Sequence, residues 1–127
     1  MKKLPLEIIV PIYNEGDKII KLLNLFKMRV NTPFRVLFCY DLDSDNIFEY
    51  KNYFNKFNFD ITLVKNPHRG PCSAIKKGFS AGNSDCVIVY PVDDFLNVDI
   101  IDQIYHSFKN GNDIVVASRF IKGGTMK

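Results

Sequence analysis

Apolar residues in this chain alternate between two patterns: short, nearly unbroken runs, and longer stretches with one apolar residue every three or four positions. Residues 6–12, 34–40 and 86–92 are runs of the first kind and read as buried strands. Residues 60–64 and 113–118 are shorter examples. Between them lie helical patterns. In residues 17–30, Ile19, Leu22, Leu23, Phe26 and Val30 share one face, and Asp17 is a candidate N-cap. Residues 47–57 form a weaker helix, heavy in Asn and aromatics. Pro71 suits the first position of a helix over 71–81, in which Gly78 is a costly interior residue. Asn97 is placed to cap a last helix with Ile101, Ile104, Tyr105 and Phe108 on its inner face. Thr32-Pro33, Gly82-Asn83 and Asn110-Gly111-Asn112 are the stops. Strands that alternate with helices predict an α/β fold, a mostly parallel sheet flanked by helices and joined by right-handed crossovers.

Three of these strands end in acids. The first runs into Tyr13-Asn14-Glu15, the second into Asp41-Leu42-Asp43-Ser44-Asp45, and the fourth into Asp93-Asp94. In a parallel sheet these ends lie along one edge, and open α/β sheets bind ligands in the crevice outside it. Carboxylates gathered there repel unless a cation sits among them. Mg²⁺ or Mn²⁺ holding phosphate oxygens would supply the charge. The pattern points to a metal-assisted site for a phosphorylated ligand, best read as a nucleotide.

Composition narrows the classes. At 127 residues with 46% hydrophobic content, 11 Phe and 6 Tyr, the chain reads as a single domain, 1–127, with a real core. A net charge of +3 without a basic stripe argues against nucleic acid as a partner. No apolar stretch is long enough to span a bilayer or act as a signal peptide. The 3 cysteines show no CxxC spacing, which favours a reduced, cytoplasmic chain without disulfides or structural zinc.

Each candidate residue also has a plainer reading. Asp93 and Asp94 follow a strand too apolar to be exposed, so a carboxylate there meets solvent, a donor or a metal. The alternative is a turn or helix cap. Asp41-Leu42-Asp43-Ser44-Asp45 resembles a calcium loop, but Asn46 and Asn52 stand where that loop requires Gly and Glu. What remains is an acidic loop able to accept bonds from a base or ribose, with Asp43 and Asp45 equally suited to capping and turns. His68-Arg69-Gly70-Pro71 precedes a helix whose N-terminus favours anions, and Arg69 adds a phosphate partner. An ordinary surface loop fits it as well, since neither a GxxxxGK[ST] nor a GxGxxG pattern is present. Arg119 follows the fifth strand and starts on the same edge, where it neutralises a phosphate or pairs with a surface acid.

Together these motifs resemble family 2 glycosyltransferases of GT-A fold, in particular the branch of dolichyl-phosphate mannose synthases and bacterial polyprenyl-phosphate glycosyltransferases. The resemblance runs from about Leu6 to Gly124. Val10-Pro11-Ile12-Tyr13-Asn14-Glu15 is similar to the family's opening strand and turn, which implies nucleotide-binding roles for Pro11, Tyr13 and Glu15. Asp41-Leu42-Asp43-Ser44 resembles its DDGS stretch, which implies a base contact for Asp41. The helix-leading segment from Gly70 to Gly78, and Ser118-Arg119-Phe120 with Lys122-Gly123-Gly124, resemble two further family segments, one below the donor and one leading to the acceptor. At the family's DxD position stands Pro91-Val92-Asp93. The resemblance implies a metal and catalytic role for Asp93, a donor contact at Val92, and extends the metal role to Asp94.

The resemblance implies a GT-A-like, Rossmann-like sheet and a metal-assisted inverting transfer. The donor is a nucleotide diphosphate sugar and the acceptor a polyprenyl (dolichyl-type) phosphate, at the cytoplasmic face of the membrane. Such a lipid phosphate is already anionic and needs no strong general base. Two further classes stay open: a soluble relative that acts on a saccharide, and a non-catalytic nucleotide-binding module. Homo-oligomerisation is left open too. The tail after Arg119 has no apolar period, so the chain reads as a donor-binding core cut short at its C-terminus, with membrane-associating segments beyond it. By itself it is expected to bind nucleotide and transfer little sugar.

Overall fold

Strand pairing follows the apolar runs. The computed structural model describes residues 3–67 and 70–111. It contains β1 (Leu6–Pro11), α1 (Gly16–Arg29), β2 (Phe34–Tyr40), the short α2 (Ile47–Tyr50) continued by a 3-10 segment (Lys51–Lys56), β3 (Asp60–Lys65), α3 (Pro71–Ala81), β4 (Cys86–Val89) and α4 (Ile100–Lys109). The strands form one parallel sheet in the order β3-β2-β1-β4. The expected fifth strand over 113–118, and with it Arg119 and the glycine pair Gly123-Gly124, lies outside the described residues, as does Arg69.

Alternation along the strands separates two cores. Leu6, Ile8 and Val10 of β1 and Val36 and Phe38 of β2 pack with Ile19, Leu22, Leu23 and Phe26 of α1 and with Ile101 of α4. Ile104, Tyr105 and Phe108 lie half-buried against the same cluster. On the other face, Ile9, Leu37, Cys39 and Val64 form a smaller cluster beside Ala81 of α3. Cys39 and Cys86 are buried free thiols, and burial pushes Cys39 up to about 11, so they pack as small apolar side chains. Gly78 explains itself here: a Cβ would come within 2.8 Å of the Ile9 side chain, so the glycine lets α3 lie close on the sheet.

The same face carries a buried polar row at the N-terminal edge of the sheet. Glu7 pairs in register with Arg35, and Arg35 with Asp60. Both Glu7 and Arg35 are 1% exposed. The Arg35 guanidinium donates to Asp60 at 2.8 Å and to Asn83 Oδ1 at 3.3 Å. Glu7 Oε1 accepts from the Asn83 N–H at 2.6 Å and from the Ser84 N–H, so it holds the chain that leaves α3. Arg35 is thus a buried ion that is paired and hydrogen-bonded, whereas Glu7 Oε2 is buried without a hydrogen-bond partner.

Four expected boundaries shift. Helix α1 starts at Gly16 with Glu15, not Asp17, at its N-cap; Asp17 sits in the first turn, where a negative charge suits the helix dipole. Helix α4 has Asp99, not Asn97, at its N-cap. The expected helix over 47–57 reduces to α2 and the 3-10 segment. Strand β4 ends at Val89, although the Tyr90 N–H still donates to Ile9 at 2.8 Å. Pro91 then removes the next donor and a turn begins.

Candidate functional site

Strand order reverses between β1 and β4, which are neighbours although β2 and β3 lie on the far side of β1. That is the switch point at which parallel sheets open a crevice beyond their carboxyl ends. A cleft of about 350 Å³ lies there, lined by Pro11 and Glu15 at and after the end of β1 and by Val89, Tyr90, Pro91, Val92 and Asp93 at and after β4. Four residues expected at a nucleotide site from sequence, Pro11, Glu15, Val92 and Asp93, are thus brought together. Tyr13, 60% exposed, stands on the loop between Pro11 and Glu15.

The Glu15 loop is fixed from beneath by the loop after β2. Asn14 adopts a φ of 50°, in the left-handed region, and its N–H donates to Asp45 Oδ2 at 3.0 Å. Asp45 Oδ1 accepts from the Ile47 N–H at 2.9 Å. Asn14 Oδ1 accepts from the Asn46 N–H, and Asn46 Oδ1 from the Gly16 N–H, both at 3.0 Å. Asp45 is 5% exposed and acts as a structural tie. Asn46, which sequence reasoning did not single out, ties the same loop through Asn14 and Gly16. Asp43 instead lies at the surface in an ion pair with Lys65 at 2.6 Å.

Asp41 sits at the other junction. Its carboxylate accepts from Asn66 Nδ2 at 2.8 Å and from the Gly70 N–H at 3.2 Å. Gly70 has a φ of 105°, which favours glycine, and occupies the N-cap of α3. Ser73 donates to Asn66 Oδ1 at 2.8 Å, so Asp41 ties the end of β2 to the start of α3. Asn66, 2% exposed, is a second residue that sequence reasoning passed over.

Around the cleft the carboxylates differ in state. Glu15 Oε1 accepts from the Tyr13 N–H at 3.1 Å, and Lys18 approaches Oε2 at 3.9 Å. Burial nevertheless holds the Glu15 carboxyl above its ordinary value, helped by the charges of Asp93 and Asp45. Asp93 is exposed and has no hydrogen-bond or ion-pair partner among the described residues. Asp94 is engaged by its own loop: Oδ1 accepts from the Leu96 N–H at 3.2 Å and the Asn97 N–H at 3.1 Å, and the Asn97 amide reaches both oxygens at 3.1 Å. No group of three His, Cys, Asp or Glu side chains among the described residues is arranged to hold a metal. One unpaired carboxylate in a cleft fits a Mg²⁺ or Mn²⁺ that takes its other oxygens from phosphate and water, rather than an all-protein cage.

A model of the glycosyl transferase family 2 domain matches residues 7–126. The chain belongs to that family. It is 23% identical over 122 residues to a dolichol-phosphate mannosyltransferase of Pyrococcus furiosus, a match that covers 94% of this chain and 34% of the relative. The chain therefore spans about a third of that relative's length. Among solved structures it is similar in fold to S. aureus TarS 1-349 in complex with UDP (TM-score 0.67, 19% identity, 94% of this chain and 40% of that one). It is also similar to the mannosyltransferase PcManGT from Pyrobaculum calidifontis in complex with GDP-Man and Mn²⁺ (TM-score 0.62, 18% identity, 73% of this chain and 28% of that one). The parallel sheet and its helices are thus those of a GT-A-like α/β domain.

Proposed function

We propose that residues 1–127 form the donor-binding domain of an inverting glycosyltransferase. In this reading a sugar passes from a nucleotide diphosphate sugar to a polyprenyl (dolichyl-type) phosphate. The observation that carries the reading is the cleft at the β1–β4 switch point, with the unpaired Asp93 carboxylate on its wall. The family match and the mannosyltransferase relative support the reaction class.

Asp93 would hold Mg²⁺ or Mn²⁺ together with diphosphate oxygens. When bound, such an ion stabilises the charge that grows on the leaving diphosphate. Pro11, Tyr13, Glu15 and Val92 border the nucleotide. Each Asp41 oxygen keeps a lone pair beyond its bond to Asn66 or Gly70, so the carboxylate can still accept from a base N–H. Arg69 and Arg119, outside the described residues, are assigned to phosphate neutralisation. The lipid acceptor, and with it a place at the cytoplasmic membrane face, rests on the relative. No helix among the described residues is long and apolar enough to cross a membrane.

One observation favours a second reading, a nucleotide-binding module without turnover: Pro91 stands where the resemblance expects the first DxD carboxylate. Two measurements test the proposal. The first is calorimetric titration of GDP and UDP with Mn²⁺ and then with chelator. The second is transfer of labelled sugar to polyprenyl phosphate or to a saccharide by the full-length protein. Metal-dependent binding with transfer to the lipid is expected. Equal affinity in chelator removes the metal role, transfer to the saccharide alone moves the acceptor, and binding without any transfer selects the module.

A further inference from the structure

Asp94 looks from sequence like a spare metal ligand, yet its hydrogen bonds give it other work. The backbone from Pro91 to Asp94 closes as a turn, with the Asp94 N–H donating to Pro91 at 3.3 Å and Asp93 next to the closing residue. Both flanks of Asp93 are anchored. On one side, Val92 is 6% exposed and part of the main core. On the other, the Tyr90 hydroxyl donates to the Asp94 carbonyl at 2.7 Å, and the Asp94 carboxylate gathers the Leu96 and Asn97 N–H groups. Tyr90 is itself fixed: it is 2% exposed and packs edge-on against Phe26 of α1, with ring centroids 5.5 Å apart. Burial pushes its hydroxyl up, aided by the nearby charges of Asp94 and Asp99, so it stays a donor.

We infer that Asp94 is a positioning residue: it and Tyr90 lock the turn that presents Asp93 to the cleft, and Asp94 does not bind the metal itself. The inference deepens the proposed donor site and rests on it. Groups that orient a ligand carboxylate commonly matter about as much as the ligand, and their loss typically costs about 10–100-fold in metal affinity.

The two roles separate by substitution. Asp94→Asn keeps a carbonyl oxygen for the Leu96 and Asn97 N–H groups, and the Asn97 amide can turn to face the new NH₂. It is a poor stand-in for a carboxylate ligand. Asp94→Ala removes both functions, and Tyr90→Phe removes only the anchor on the Asp94 carbonyl. The expected result is Mn²⁺-dependent GDP or UDP affinity within about twofold of the unsubstituted chain for Asp94→Asn, but about tenfold weaker for Asp94→Ala, with Tyr90→Phe between them. Amide exchange at Leu96 and Asn97, read by NMR without nucleotide, should speed up in Asp94→Ala and stay slow in Asp94→Asn. An affinity loss in Asp94→Asn as large as in Asp94→Ala overturns the inference in favour of a ligand. Unchanged exchange and affinity in Asp94→Ala overturn it in favour of no role. If the unsubstituted chain binds no nucleotide, the donor-site reading fails, and amide exchange still decides whether Asp94 holds the turn.

Discussion

Replacing Asp45 with alanine tests whether the loop after β2 holds the loop after β1. The carboxylate is 5% exposed and accepts from the Asn14 N–H at 3.0 Å and the Ile47 N–H at 2.9 Å. Ile47 is fully buried, so its N–H in Asp45→Ala is left without a partner, at about 1–3 kcal/mol. The Asn14 N–H is reached more easily by water, and its loss adds about 1 kcal/mol. The left-handed conformation of Asn14 then has less to hold it, with only the bond from Asn46 remaining on its side chain. The sum is about 2–4 kcal/mol, a sizeable part of the roughly 5–15 kcal/mol that stabilises an ordinary domain. Asp45→Asn keeps one acceptor and should lose about half as much. Urea denaturation reads both, as a lower midpoint at an unchanged slope. Nucleoside diphosphate binding should weaken in parallel, because Tyr13 and Glu15 ride on the loosened loop. A loss of under about 0.5 kcal/mol in Asp45→Ala, the range of ordinary surface substitutions, would refute the tie.

Three other outcomes follow from the same geometry. Burial tends to raise the Asp102 carboxyl, but the Asn31 and Thr32 N–H groups, the Thr32 hydroxyl and the charge of His106 outweigh it and hold it below its ordinary value. Its contribution to stability is therefore present above the unfolded value of about 4 and is lost as pH falls through the folded value, so Asp102→Asn should flatten the acid limb of a stability–pH curve. Gly78→Ala should destabilise by about 1–3 kcal/mol in denaturant, despite the better helix propensity, because its Cβ would meet Ile9 at 2.8 Å. Asp41→Ala should blur the preference among GDP, UDP and CDP by about 1–3 kcal/mol in calorimetry, and an unchanged ranking and affinity would leave Asp41 only its bonds to Asn66 and Gly70.

The four described strands and the inner faces of α1 and α4 were legible because apolar spacing reports burial directly. Ile19, Leu22, Leu23 and Phe26 are all buried, and Ile101 with them. Strand ends were harder to read. Tyr90 and Val92 are as buried as strand residues, so hydrophobicity alone extends β4 past the point where Pro91 ends the ladder. Gly78 looked costly because its compensation lies on another element, in the side chain of Ile9. The acids at the strand ends were found, but their individual roles were not. Whether a carboxylate serves a ligand or a backbone depends on partners distant in sequence, as Asn14 is from Asp45 and Gly70 is from Asp41. For Asp94 the partners are adjacent, and a residue beside Asp93 looks the same from sequence whether it binds a metal or folds a turn. Arg69 and Arg119 lie outside the described residues.

The division of charge between the two edges of the sheet gives the cleft its preference. At the N-terminal edge a buried guanidinium, Arg35, is ion-paired with Asp60, and Glu7 is its register partner on β1, so a base lies among the acids within the fold. At the C-terminal edge, among the described residues, three acids are held by neutral donors alone. Asp41 has an amide and a backbone N–H, Asp45 two backbone N–H groups, and Asp94 the Leu96 and Asn97 N–H groups with the Asn97 amide. Among the described residues, cations reach only Asp43, through Lys65, and Glu15, through Lys18 at 3.9 Å. Hydrogen bonds from neutral groups stabilise a carboxylate without cancelling its charge, and at Glu15 the charges of Asp93 and Asp45 add to the burial that chiefly raises its carboxyl. A nucleoside diphosphate brings more negative charge to the same place. Binding it there requires a cation, and Asp93 is the carboxylate in the cleft that no group among the described residues already occupies. In the proposed donor site the same repulsion that would exclude the bare diphosphate would make binding metal-dependent, which is why chelation is the sharpest perturbation of this site.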